Sequence, residues 1–172
     1  MKIVHLVPAA WDYFDDIRDA VFNLVSGEIR RGIESEVITL QYRKTTPQAA
    51  QEISVKSSGL SFRGDLSGAG LADVLDEFDL VHLHCPFLGA AKDILAWKKK
   101  NPKKPLLISI HRPVRIVDFF SLIIAAYNTF YQPKIFSLAD RRLTFPANGV
   151  KLSQAEATAS VYSRIYQDLL NN

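Results

Sequence analysis

Apolar and polar positions along this chain switch repeatedly between a strand period and a helix period. Lys2 to Val7 is an almost continuous apolar run ending at Pro8 and reads as a buried strand. Asp12, Asp15 and Asp16 then load a first helical turn with negative charge, as the helix dipole favours, so a helix is predicted from near Tyr13. Its buried face is carried by Ile17, Val21, Leu24, Val25 and Ile29, and Gly32 after Arg30-Arg31 is its stop signal. Val37, Ile38 and Leu40 predict a second strand over 36–40. Strand, helix and strand within about 40 residues make a βαβ unit, whose crossover is right-handed over a parallel sheet.

The alternation continues after a mixed stretch from Gln41 to Ser67, where short strands are expected near 52–56 and 60–62. Leu71, Val74, Leu75 and Phe78 form a helical stripe, and Asp79 to His84 follows as a strand ending at Cys85-Pro86. A helix over 90–100 with Ile94, Leu95 and Trp97 inward leads to a continuous apolar strand, Leu106 to Ile110. A helix over 114–131 and a short strand over 142–145 come next. Ser153-Gln154-Ala155-Glu156 has the form of a capping box, and Val161, Tyr162, Ile165, Tyr166 and Leu169 form the stripe of a closing helix. This pattern predicts an α/β fold: one Rossmann-like, doubly wound, mostly parallel sheet over 1–150, with the helix of 151–172 packed back on it.

Length and charge narrow the function classes. The 172 residues suffice for one domain, and Lys plus Arg (21) against Asp plus Glu (18) gives a net charge of +3, too mild to point to nucleic acid. The one cysteine, Cys85, forms no internal disulfide and suits a reducing, cytoplasmic setting. The apolar stretch 114–136 is broken by Arg115, Asp118, Asn128, Gln132 and Lys134, so no membrane-spanning helix is expected.

Ligands of open α/β sheets bind beyond the carboxyl ends of the strands, which directs attention to three segments. Pro8 to Tyr13 is a strand-to-helix turn without glycine, and neither a Gly-x-Gly-x-x-Gly turn nor a P-loop occurs, which argues against a flavodoxin-like or other nucleotide-binding domain. In His82-Leu83-His84-Cys85 the two histidines share a strand face. They suit either a metal pair or hydrogen-bonded structural roles, while Cys85, a nucleophile by chemistry, alternates to the other face. His111-Arg112 stands at a strand end, where the imidazole can exchange a proton and the guanidinium can pair with a phosphate or carboxylate.

Four segments in order, "MKIVHLVP", "SGEIRRGIESEVITL", "FDLVHLHCPF" and "LLISIHRP", resemble the N-terminal, acceptor-side half of the retaining GT-B nucleotide-sugar glycosyltransferases. "LADRRLTFPANGV" and the tail "ASVYSRIYQDLLNN" are similar to that family's hinge and crossing helix. The resemblance implies a transferase in which His111 is catalytic and Ala10, Trp11, His84 and Arg112 contact substrate. It implies no metal and no resident cofactor, the nucleotide-sugar being a co-substrate held mainly by a domain this chain lacks. A separate donor-binding subunit or a homo-oligomer then completes the site, and the chain alone transfers weakly or not at all. Glu28 and Glu36 stand at the family's Glu-x7-Glu spacing but in the wrong context, so the match reads as coincidence and Glu28 as a solvated helix residue.

A second reading is a non-catalytic binding or assembly module. Phe119, Phe120, Leu122, Ile123, Ile124, Tyr127, Phe130 and Tyr131 exceed what one helix face needs, and Lys98 to Lys100 with Lys103-Lys104 suits peripheral contact with the inner face of an anionic membrane.

Overall fold

A computed structural model describes residues 1–7, 15–39, 55–57, 70–87, 91–111, 125–145 and 150–171. Six strands form one sheet: β1 (Lys2–Val7), β2 (Glu34–Thr39), β3 (Val55–Ser57), β4 (Leu80–Cys85), β5 (Leu106–Ile110) and β6 (Arg141–Thr144). Their order is β3-β2-β1-β4-β5-β6 and every pairing is parallel. This is a doubly wound α/β fold, with the strand order reversing between β1 and β4.

The helices are α1 (Asp15–Arg30), α2 (Leu71–Leu75), α3 (Ala91–Lys100), α4 (Gln132–Leu138), preceded by a π-helical turn over Tyr127–Tyr131, and α5 (Ala155–Leu170). Helices α1 and α5 pack on each other, and α3 packs on both α2 and α4. The central strands are covered on both faces, so β1 and β4 are buried almost without interruption, their histidines included. One core cluster holds Val81, Leu83 and Cys85 of β4 with Trp97 and Ile94 of α3; the other holds Ile3, Leu80 and Leu107 with Ala159, Tyr162 and Tyr166 of α5.

Two glycines set the course of α1. Gly32, at φ +77, ends the helix: its N–H donates to Ile29 O and that of Ile33 to Glu28 O, a closure that requires a left-handed residue. Gly27 does something different. A Cβ there would stand 2.4 Å from the backbone oxygen of Ala155, so only glycine lets α1 approach the start of α5 this closely. Ala155 and Ala159 keep the facing side equally slim, and Tyr162 and Tyr166 continue that stripe into the core.

Several expected details shift. The capping box does not form: Ser153 lies in a 3-10 turn over Leu152–Gln154, and α5 starts at Ala155 with no side-chain cap. Ile29 and Val161 lie at the exposed edges of their helices, 36% and 59% accessible, because the buried stripes run one residue to the side. The helix expected to end at Tyr131 continues to Leu138. The second short strand expected near 60–62, and the apolar residues 119–124, lie outside the described residues.

Two lysines of the run turn inward to backbone carbonyls, while Lys99, Lys100 and Lys103 are exposed. Lys98 is buried and its ammonium donates to Pro102 O (3.1 Å), Lys104 O (2.7 Å) and Asp140 Oδ2 (2.7 Å). Lys104 donates to Asp76 O and Phe78 O, and Lys100 pairs with Asp76 at 2.7 Å. Among the described residues no helix is long and apolar enough to cross a membrane.

Candidate functional site

Strand alternation and register gather all four histidines of the chain on one face of the sheet. His5 of β1 sits opposite His82 of β4, and His84 sits opposite Ser109 of β5, in the layer above Ile3, Leu80 and Leu107. His5, His82 and His84 are fully buried, and His111, one residue past β5, is half-buried. Helix α1 brings Glu28 onto this layer and α5 brings Tyr162 and Tyr166.

A row of hydrogen bonds runs through it. Ser35 Oγ donates to Glu28 Oε2 at 2.7 Å, and the same oxygen is 2.9 Å from His5 Nε2. His5 Nδ1 is 3.0 Å from His84 Nε2, and His84 Nδ1 is 2.8 Å from His111 Nε2. A second arm leaves the other carboxylate oxygen. Tyr166 donates to Glu28 Oε1 at 2.8 Å, His82 Nδ1 is 2.9 Å from that hydroxyl, and His82 Nε2 is 2.8 Å from Ser109 Oγ, which lies 3.2 Å from Tyr162 OH. Glu28 thus faces three donors, which offset the cost of burying a carboxylate.

Both links between histidines run head-on. The ring centres of His5 and His84 are 5.3 Å apart and those of His84 and His111 are 5.1 Å apart, in each case the N···N distance plus two imidazole radii. That geometry suits proton sharing and opposes chelation. His5, His82 and His84 do bring nitrogens within 4.8 Å of one another. An ion ~2.0–2.1 Å from both His5 and His84 nitrogens, the length Zn–N bonds need, would have to lie well off the line along which their two lone pairs face each other. The His82 ring instead lies beside His84, centroids 4.2 Å apart and the planes tilted by 33°.

Burial pushes the His82 and His84 imidazoles well below the ordinary histidine range, and the neighbouring histidines add to the effect. Tyr166 is held well above its usual value by burial and then by the Glu28 charge. Cys85 faces the opposite core cluster, and burial pushes its thiol up to about 12, which removes it from nucleophilic chemistry at neutral pH.

His111 and His84, two of the residues singled out in the sequence, are therefore hydrogen-bonded neighbours. Ala10, Trp11 and Arg112 lie outside the described residues. Glu28 corrects the expectation of a solvated helix residue: it is fully buried because position 28 continues the stripe Val21, Leu24, Val25 by three to four residues. Glu36 is not its partner and pairs with Lys2 at 3.6 Å. His5, Ser109 and the two tyrosines were legible only as positions on buried elements, and Ser35, one residue before the expected second strand, carried no signal.

His111 is fixed by its surroundings. Its N–H donates to Cys85 O (3.1 Å), Phe145 N donates to Ile110 O (2.8 Å), and the imidazole stacks on Phe145 at 4.0 Å.

No protein-family model and no curated protein matches the chain. Similar solved structures include a CheY-like receiver domain from Methanospirillum hungatei JF-1 (13% identity, 98% of this chain and 94% of that one, TM-score 0.46). The BeF3-activated DrrB receiver domain is 14% identical over 97% of this chain and 98% of that one, with TM-score 0.42. CetZ from Methanosaeta thermophila strain DSM 6194 is 18% identical, and the match spans 97% of this chain but 53% of CetZ, with TM-score 0.48. With identities this low and TM-scores below one half, no ligand or chemistry passes from those proteins to this one.

These findings correct the glycosyltransferase expectation, with its nucleotide-sugar and missing donor half: the similar structures named are receiver domains, CetZ and TubZ, and none is a glycosyltransferase. The physical reason lies in the segments that carried the resemblance. "MKIVHLVP", "FDLVHLHCPF" and "LLISIHRP" are β1, β4 and β5, whose apolar runs any sheet covered on both faces demands. The binding-module alternative is corrected with it, since Lys98 and Lys104, counted toward a basic surface, are spent on internal carbonyls.

Proposed function

We propose that this domain binds a small polar molecule over the carboxyl edge of its sheet and exchanges a proton with it through His111. The observation that supports this is the head-on row Glu28–His5–His84–His111, with links of 2.9, 3.0 and 2.8 Å, which joins a buried carboxylate to a half-buried imidazole at a strand end. A carboxylate behind an imidazole holds its tautomer and stabilises the imidazolium that forms on proton uptake, and a row of imidazoles transmits the same bias. The carboxyl edge of an open α/β sheet is where such folds receive ligands. The class of chemistry is general acid–base catalysis, or binding coupled to proton uptake. A reducing, cytoplasmic setting belongs to this reading, supported by a single cysteine kept as a buried thiol.

The test is a protein-observed NMR screen of small hydroxylated and amino metabolites, repeated on His111→Asn. Binders are expected to shift Ile110, His111 and Phe145, with an affinity that depends on pH in the wild type and loses that dependence in the variant. Binders that shift other regions, or a pH dependence that survives in His111→Asn, overturn the proposal.

A further inference from the structure

We propose that β6 is a docking edge, which takes an extended acidic segment of another protein as a further strand of the sheet. The inference stands on residues outside the row from Glu28 to His111 and does not depend on the proton-exchange reading.

Among the described residues β6 ends the strand order and pairs with β5 alone. The register sets Leu143 opposite Ser109, and Phe145 N donates to Ile110 O. Alternation then turns the backbone N–H and C=O groups of Arg142 and Thr144 to the open side, where no described residue meets them. Such a row is a template for one more strand.

A groove flanks this edge on each face of the sheet. On the α5 face one of about 560 Å³ is bounded by Leu143, Val161 and Ile165, with Val161 exposed. On the α4 face one of about 610 Å³ is bounded by Pro133, Phe136 and Arg142. A strand laid along β6 points successive side chains to opposite faces, so its residues fall by turns into the two grooves.

The two grooves ask for different side chains. The lining on the α5 face holds neither an acid nor a base and suits large apolar groups. Arg142 is the one charged residue lining the other groove. Its guanidinium lies 5.9 Å from the centre of the Phe136 ring, is exposed, and has no carboxylate partner among the described residues. Arg141, on the α5 face, already has Asp168 at 3.8 Å, so the charge left for a partner is that of Arg142. A carboxylate placed there would accept a charge-assisted hydrogen bond. The occupant is therefore a segment in which acidic residues alternate with apolar ones. A second copy does not suit this edge, because laying β6 on β6 would bring Arg141 and Arg142 against their own counterparts. Charge on an edge strand guards against such self-pairing, and the same guard admits a strand of opposite sign.

The test adds two synthetic hexapeptides to the 15N-labelled full chain, one alternating glutamate with valine and one alternating lysine with valine. Amide shifts and hydrogen exchange are read at Arg142, Thr144 and Val161. In the free protein the Arg142 and Thr144 amides are expected to exchange as open groups. The glutamate peptide is expected to shift all three residues and to slow exchange at Arg142 and Thr144, while the lysine peptide leaves them unmoved. Arg142→Glu, a change at an exposed side chain, is expected to weaken the glutamate peptide roughly tenfold and to admit the lysine peptide. Should that variant not fold, the comparison of the two peptides on the wild type decides. Exchange protection of both amides in the dilute free protein would mean that the chain covers its own edge. Protection that grows with protein concentration, together with a dimer on sizing, would give the edge to a second copy. Either result overturns the proposal, as does equal binding of the two peptides or binding of neither.

Discussion

The hydroxyl of Tyr166 donates to Glu28 Oε1 at 2.8 Å, joining two fully buried side chains that lie 138 residues apart in the chain. The same oxygen of Tyr166 lies 2.9 Å from His82 Nδ1, so one phenol serves both the carboxylate and an imidazole.

Tyr166→Phe therefore leaves two buried groups short of a partner and is expected to cost about 2–4 kcal/mol. Tyr162→Phe removes only a longer, 3.2 Å bond to Ser109 and is expected to cost about 1 kcal/mol or less. Urea unfolding of both variants checks the ranking; equal losses would show that the network does not single out Tyr166.

Gly27→Ala is expected to destabilise by about 1–3 kcal/mol, because the added methyl meets the Ala155 carbonyl and the two helices must part. The His82 and Tyr166 resonances are expected to move with it, since α5 carries the tyrosines. Gly32→Ala meets no atom and is expected to cost about 1 kcal/mol through its positive φ alone, without disturbing His82. Thermal melts and histidine spectra together separate the two effects.

Stability is expected to fall on acidification. His82 and His84 are held well below their ordinary value by burial, so the folded state declines protons that the unfolded chain accepts below about pH 6.5. Unfolding takes up those protons, and stability present above that pH is lost beneath it, by up to ~1.4 kcal/mol per pH unit for each histidine. Urea midpoints between about pH 7.5 and 5 measure this; a flat profile across that window contradicts buried neutral imidazoles.

Cys85 is expected to resist alkylation in the native protein, its thiol lying at about 12 and its side chain being buried. Labelling by iodoacetamide at mildly alkaline pH is expected to proceed only as fast as the protein opens and to accelerate in urea. Rapid native labelling would place the thiol at the surface instead.

Much of this architecture is written in residue order. The run Leu106–Ile110 and the alternation through His82 and His84 announce their strands and faces, because burial on both sides leaves the chain few other options. Glu28 was harder. Its neighbour Ile29 is the more apolar residue and draws the stripe one position aside, whereas spacing from Leu24 and Val25 carries it to 28. Only the partners show why a carboxylate sits there, and those partners, His5, Ser35 and Tyr166, come from three other elements. The strand motifs misled for a related reason: they encode a sheet buried on both faces, a requirement shared by folds of unrelated chemistry.

The close passage of Gly27 against Ala155 also has a consequence in time. The α5 side chains that cover the histidine layer follow every strand of the sheet in chain order, so a nascent chain that ends before Tyr166 holds Glu28 and His82 without the phenol that joins them. The earlier strands and α1 can pair as they emerge, but Tyr162 and Tyr166 close over the histidine layer only when α5 has followed them. During synthesis, the scaffold precedes its chemistry.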